Sequence, residues 1–380
     1  MRIAFVYDTV YPESKGGVEK RVWELARRLV GRGHQVHLLV PKTWDGPDRL
    51  EREGVILQAV CEARPLYTPK GRRAVWPALA HAIGIIRHFR AVDYDLVDCQ
   101  IPAHLATLAA WRRTRRDPGT KLVITWHEAW DQSWLEEMGL LGRVGRKIES
   151  LVAGIPAIHL TVSQHTADTL ARLGQPATAV IPSGVELSDV EPSDPSDVIS
   201  SDVLFIGRLV PTKNLELLIE ATDLLVRRGL FPRVLVVGDG PNRSSWQTQI
   251  DRLGLNDCIE LAGTVETESD VVALLESSKV LAVPSLREGF GMIVLEAAAH
   301  GVPVVTVDHT RNAARHLVHH GVTGLIVAPE PGAFADAIES LLQDDALRLS
   351  MARAAAKTAS GATWDAAVAG TEAIYEARVA

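Results

Sequence analysis

Two carboxylates, Glu288 and Glu296, bracket a turn in the run Pro284-Ser285-Leu286-Arg287-Glu288-Gly289-Phe290-Gly291-Met292-Ile293-Val294-Leu295-Glu296-Ala297. The apolar stretch before it, Lys279-Val280-Leu281-Ala282-Val283, reads as a buried strand that stops at Pro284, and the glycines lead into a helix opening at Gly291. A helix start set just after a parallel strand offers several unpaired backbone N–H groups and the positive end of the macrodipole, which suits a phosphate or a diphosphate. Glu296 falls about a turn and a half inside that helix, roughly 7 Å along its axis. Its side chain tilts back toward the helix start, so its carboxylate can accept bonds from hydroxyls held beside the phosphates. Glu288 sits on the other side of the same anion site. One carboxylate could then hold a ribose and the other a sugar ring, with a diphosphate between them.

Other residues fit that chemistry less specifically. Arg208 and Lys213 follow the apolar run 203–206, and two cations at the carboxyl end of a strand can neutralise a diphosphate whose charge grows as a glycosidic bond breaks. Cations oppose the dipole at a helix start, so their presence at this one calls for a local compensation. His127, in Thr125-Trp126-His127-Glu128, ends a middle strand; a lone histidine is more often a structural hydrogen-bonder than a catalytic group. Gly16 and Gly17 follow the first strand, where the absence of Cβ lets a backbone approach a ligand. They do not form a G-x-G-x-x-G fingerprint, so no dinucleotide cofactor is indicated. Asp93-Tyr94-Asp95 matches the D-x-D pattern of metal-dependent transferases, but it precedes the strand 96–99 at its amino end and reads as a turn. Gly238-Asp239-Gly240-Pro241 and Gly263-Thr264-Val265 are turn sequences in which ligand contact and simple punctuation are equally open.

The elements that must position these residues alternate along the chain. Apolar runs at 3–7, 35–40, 122–125 and 157–162, and again at 203–206, 234–237, 280–283 and 302–306, are short and separated by amphipathic segments such as 18–30. Continuous rather than alternating apolar strands indicate a sheet covered on both faces, and the intervening helices make it parallel. The pattern occurs twice, so the chain reads as two doubly wound α/β domains, whose ligands bind at the carboxyl ends of strands. Residues 186–201, rich in Asp, Ser and Pro, cannot build a core and separate the two repeats. Residues 364–379 have a helical pattern.

Taken in order, these pieces, with Pro182-Ser183-Gly184-Val185, Lys213-Asn214 and Gly321-Val322-Thr323-Gly324, resemble the retaining, nucleotide-sugar-dependent glycosyltransferases of family 4, whose signature includes the Glu-x7-Glu element. The resemblance covers nearly the whole chain. It implies the GT-B fold: two facing Rossmann-like doubly wound parallel-sheet domains with an interdomain cleft, here an acceptor domain over 1–187, completed by a returning helix over 363–380, and a donor domain over 188–362. It implies Glu296 on the ribose, Arg208 and Lys213 on the diphosphate, Glu288 with Gly289, Phe290, Gly291 and Met292 on sugar hydroxyls, and His127 at the reacting centre. Gly16 and Gly17 are expected beside the donor phosphate and the acceptor, and Gly238 and Val265 near the base. Glu128 stands where the family often has aspartate, and Ser183 and Glu186 where its hinge loop often has Asn and Asp. The implied reaction moves a sugar from a UDP- or GDP-linked donor to an acceptor hydroxyl, with no metal and no cofactor. A GT-B-fold epimerase and a non-catalytic nucleotide-sugar-binding protein are the alternatives; the first leaves the Glu-x7-Glu spacing unexplained, and the second predicts loss of the charged set that is present.

Composition agrees. With 380 residues, 47% of them apolar, the chain can bury two cores of ordinary size. Its three cysteines, Cys61, Cys99 and Cys258, are far apart and suggest neither a disulfide frame nor a zinc site. The first residues read directly as a strand, without a leader or an apolar span, so the expected location is cytoplasmic. The net charge of −7 hides a basic first half, which holds most of the nine tryptophans, and an acidic second half. Basic clusters at 70–73, 112–116 and 143–147 could meet an anionic acceptor or the inner face of a membrane, or be solvated helix ends. Nucleic acid is a poor partner for an acidic chain without a recognised binding motif. The acceptor, whether small molecule, glycan or lipid-linked, would be chosen by first-domain loops such as 44–52 and 66–76.

Overall fold

A computed structural model describes residues 1–65, 74–186 and 200–379. The chain divides into two compact units, Met1–Gly184 with Trp364–Ala380, and Val185–Thr363. Most of the 186–201 segment and the Lys70–Arg73 basic cluster lie outside the described residues.

In the first unit, β1 (Arg2–Val6), α1 (Gly17–Gly31), β2 (Gln35–Lys42), β3 (Arg49–Arg52), β4 (Val55–Glu62), α2 (Val75–His88), β5 (Leu96–Ile101), α3 (His104–Thr114), β6 (Lys121–Trp126), α4 (Ser133–Met138), α5 (Gly142–Ala153), β7 (Ile158–Thr161), α6 (Gln164–Arg172) and β8 (Ala179–Val180) follow in order. Among the described residues they form one sheet ordered β3-β4-β2-β1-β5-β6-β7-β8. Every pairing is parallel except β3 with β4, which is antiparallel. That edge corrects the expectation of a wholly parallel sheet and of a loop over 44–52. Glu53 and Gly54, both at positive φ, turn the chain between β3 and β4, allowing a short hairpin instead of a crossover. β5 is buried at every position, and its apolar members Val97, Cys99 and Ile101 face a core shared with α2, α3 and α5.

The second unit runs β9 (Ser201–Ile206), α7 (Leu215–Arg227), β10 (Val234–Val237), α8 (Arg243–Leu253), β11 (Ile259–Gly263), α9 (Glu268–Glu276), β12 (Ser278–Val283), α10 (Met292–Ala299), β13 (Val304–Val307), β14 (Gly324–Val327), α11 (Pro331–Gln343) and α12 (Asp345–Ala359). Its six parallel strands are ordered β11-β10-β9-β12-β13-β14. The order reverses between β9 and β12, so the strand ends diverge there and leave room for a ligand. Helices cover both faces: Leu218, Trp246, Phe334 and Ile338 pack on one, Leu275, Val294 and Ala297 on the other.

After α12 the chain returns to the first unit as α13 (Trp364–Val379), which packs on α1. Trp364, Val368 and Tyr375 are buried, and Tyr375 reaches Asp98 in the middle of the sheet. The three cysteines are free; burial pushes the half-buried Cys61 thiol up to about 11, which keeps it protonated and unreactive.

Candidate active site

In the second unit the expected charged set gathers at the carboxyl ends of the neighbouring strands β9 and β12. After β9 the chain passes Gly207 and Arg208, makes a single turn over Pro211–Lys213, and enters α7 through Asn214 in the left-handed conformation, φ 52°. After β12 it passes Pro284 to Gly291 and enters α10. Two bonds strap these loops together: Leu286 N donates to Thr212 O at 2.9 Å, and Asn214 Nδ2 to Pro284 O at 3.3 Å. Lys213 Nζ pairs directly with a Glu288 carboxylate oxygen. The pair supplies the compensation expected for a cation ahead of a helix start. Glu288 is fixed on its other side as well, since its N–H donates to Arg311 O at 3.0 Å and its C=O accepts from Ala313 N at 2.9 Å. Arg208 is exposed on the same loop, and Glu296 is half-buried in the second turn of α10.

Glycines make the close approaches possible. Gly291, the residue before α10, has φ +97°, and a Cβ there would lie 2.5 Å from the Ala314 Cβ. Gly238 has φ +141°, and a Cβ would lie 1.9 Å from Gly207 O. That contact lets β10 end against the start of the Arg208 loop, where Leu209 N donates to Asp239 O at 2.9 Å. Phe290 packs in a small cluster with Val185, Leu295 and Ala359, and Val265 against the core that holds Val237 and Val283. Gly289 and Met292 are half-buried beside them.

In the first unit, Gly16 precedes α1 and Gly17 is its first residue. The Glu19 carboxylate folds back over Gly16, its Oε2 2.5 Å from where a Cβ would stand, and accepts from Thr9 Oγ1 at 2.9 Å and Ser14 Oγ at 3.2 Å. The absence of a Cβ at Gly16 leaves room for the Glu19 carboxylate. Asp95 of the D-x-D run accepts from Arg2 N at 2.7 Å and pairs with the Arg2 guanidinium at 3.0 Å, at the amino end of the sheet.

His127 follows β6, is 7% exposed, and bonds through Nε2 to Gln100 Oε1 at 2.8 Å. Burial, and then the positive charge of Arg21, hold its pKa well below the ordinary 6.5, so the ring is neutral. Beneath it lies a buried polar network that the sequence analysis missed. Asp98 accepts from Thr125 Oγ1 at 2.8 and 2.9 Å and from the Tyr375 hydroxyl. Arg21, itself 2% exposed, donates to Ile181 O and Pro182 O, both at 2.8 Å, and to Ser183 Oγ at 3.3 Å. Burial lowers the Arg21 pKa to about 10, yet leaves it charged at neutral pH. The overlooked signal is the alternation inside β5, where Asp98 and Gln100 interrupt an apolar strand on one face.

The loop after His127 is anchored by Glu149, wholly buried, which accepts from Trp130 N at 2.8 Å and Asp131 N at 2.7 Å. Trp130 Nε1 donates to Glu128 Oε2 at 3.0 Å, and the Trp130 and Trp134 rings lie 4.6 Å apart.

Two mainly parallel sheets, each with a switch point in its strand order, define the class: a two-domain doubly wound α/β protein. Residues 15–189 match Glycosyltransferase Family 4, and residues 195–358 match Glycosyl transferases group 1. The chain is similar to the alpha-D-kanosaminyltransferase of Streptomyces kanamyceticus, 34% identical over 40% of this chain and 39% of that protein. It therefore spans less than half the length of that relative. The phosphatidyl-myo-inositol mannosyltransferase of Mycobacterium leprae (strain TN) is 27% identical over 95% of this chain and 93% of its own. The Anabaena Alr3699/HepE structure in complex with UDP-glucose superposes with TM-score 0.76 at 22% identity, over 98% of this chain and 99% of that one. The chain belongs to the family 4 glycosyltransferases and has the GT-B fold.

Proposed function

We propose that this protein transfers a sugar from a nucleoside diphosphate, UDP- or GDP-linked, to an acceptor hydroxyl with retention of configuration and without a metal ion. The observation that carries the reading is the Lys213–Glu288 pair, strapped at the switch point of a parallel sheet beside the start of α10. In the reading, the diphosphate takes Lys213 and Arg208 as counter-charges at the site of the developing negative charge, where fixed cations act without reorganising. Glu288, released toward the sugar, and the backbone from Gly289 to Met292 bind sugar hydroxyls, and Glu296 binds the ribose. Gly238 and Val265 border the base. In the first unit, Gly16 and Gly17 lie beside the donor phosphate and the acceptor, and His127 contacts the donor sugar. A donor oxygen of the leaving diphosphate accepts the acceptor's proton, so no protein nucleophile is required. The experiment is incubation with UDP- and GDP-sugars and a panel of hydroxyl acceptors, with anomeric configuration read by NMR and a chelator in a parallel arm. An α-product from an α-donor, formed equally with the chelator, supports the reading; inversion or loss of turnover with the chelator defeats it. Donor alone yielding a new nucleotide sugar would favour an epimerase.

The acceptor reading includes peripheral contact with an anionic membrane. Leu140, Val144 and Leu151 of the α4–α5 region are 81, 58 and 56% exposed, and Arg143, Arg146 and Lys147 are exposed among them. No helix among the described residues is long and apolar enough to cross a membrane. Co-sedimentation with phosphatidylglycerol vesicles, weakened by Arg143→Glu with Lys147→Glu, tests that contact; equal binding to neutral vesicles would overturn it.

A further inference from the structure

We propose that Asp98, acting through Gln100, is a positioning residue that fixes His127 as its Nε2–H tautomer and thereby keeps Nδ1 as a hydrogen-bond acceptor for a hydroxyl of the substrate. The inference rests on the reading of His127 as a sugar-contacting group. It begins with Asp98, 1% exposed, which faces hydrogen donors and a cation: the Thr125 and Tyr375 hydroxyls, the amide of Gln100, and the guanidinium of Arg21 acting at longer range. Burial raises the Asp98 pKa, while these donors and the Arg21 charge pull against that rise and favour the ionised carboxylate, which only accepts. The Gln100 NH2 lies near enough to stabilise that carboxylate, although its geometry falls short of a full hydrogen bond. Turned the other way, the amide would set its oxygen against the anion. Asp98 therefore directs Oε1 toward His127.

An amide oxygen carries lone pairs only, so the 2.8 Å contact requires the proton on Nε2 of the ring. The ring is neutral, and a neutral imidazole holds one proton. Nδ1 is then bare. It makes no hydrogen bond among the described residues, so it is the ring nitrogen left to accept one. Asp98 and Gln100 stand two residues apart on one face of β5, and Thr125 and His127 do so beside them at β6, where Gln100 is registered against Thr125. The relay thus spans two adjacent strands, and α13 closes it through Tyr375.

Imidazole 15N–1H correlation spectra of the full chain, with the His127 signals identified by their loss in His127→Asn, read the tautomer without donor or acceptor. The wild-type protein is expected to show a protonated Nε2 and a bare Nδ1. Gln100→Leu, which removes the acceptor, and Asp98→Asn, which lets the amide turn, are expected to give a mixture with Nδ1–H. Tyr375→Phe, which keeps the packing, shifts the spectrum the same way to a smaller extent. In Gln100→Leu, kcat is expected to fall about tenfold or more while the donor KM changes by less than about twofold. A wild-type Nδ1–H tautomer, or a Gln100→Leu spectrum identical to wild type, would overturn the proposal. Because the spectrum needs no substrate, a chain with the expected tautomer that transfers no sugar from any nucleotide donor would sink the functional reading alone.

Discussion

Lys213 and Glu288 form a contact whose energy is small and whose placement is specific. Both side chains are partly exposed, at 24 and 12%, so the pair contributes only about 0–1 kcal/mol to stability. Lys213→Ala and Arg208→Ala should therefore lower turnover by on the order of 10²- to 10³-fold while leaving the melting temperature nearly unchanged. Near-normal turnover in both would defeat the assignment. His127 makes the opposite prediction, one about stability and pH. Its folded pKa lies below the ordinary 6.5, so below that pH the unfolded chain binds a proton that the folded chain refuses. The stability that the neutral ring contributes is present above pH 6.5 and is lost as pH falls, by up to about 1.4 kcal/mol per unit. Urea unfolding from pH 7.5 to 5 should show a shallower acid limb for His127→Asn than for wild type; parallel limbs would contradict the burial argument.

At the scale of elements, two loops do the positioning, each by a different device. The loop into α10 depends on a backbone that a side chain would block. Gly291→Ala meets both a positive φ and the Ala314 Cβ, so it should destabilise the second unit by roughly 1–3 kcal/mol. The loop after His127 depends instead on a buried acceptor. Glu149→Gln replaces an oxygen that receives a backbone N–H with an NH2 group, leaving two donors face to face. A loss of about 1–3 kcal/mol in denaturant unfolding is expected, with faster amide exchange at Trp130 and Asp131. Unchanged exchange at those two amides would show that the loop is held by its aromatic contacts, of which the Trp130–Trp134 pair is the nearest.

On the scale of the whole molecule, the chain order and the folded units do not coincide. The first unit contains residues from both ends of the sequence, and α13 buries Trp364, Val368 and Tyr375 within it. Removing residues 364–380 is expected to lower the thermal transition of the first unit while sparing that of the second, which calorimetry can resolve. UDP or GDP should raise the second unit's transition in the intact protein, because a ligand that binds only the folded state shifts the midpoint by mass action. A nucleotide that stabilises neither unit would remove the basis for a donor site at the ends of β9 and β12.

The alternation of short apolar strands with amphipathic helices, together with the Glu288 to Glu296 run, was enough to read two doubly wound domains and the element that closes the second sheet's switch point. Both are local properties: period, length and turn chemistry are written within a few residues of where they act. The antiparallel β3 was not legible, because Arg49–Arg52 is short and carries a single apolar residue, Leu50, so it has no apolar run to mark it as a strand. Nor was the pairing of Lys213 with Glu288, the bond from Tyr375 to Asp98, or the bond between His127 and Gln100. Those contacts join residues tens to hundreds of positions apart, and their partners are chosen by strand order and by the return of α13. Burial then decides the chemistry, since it is the loss of water around His127, Asp98 and Arg21 that makes the direction of each hydrogen bond matter.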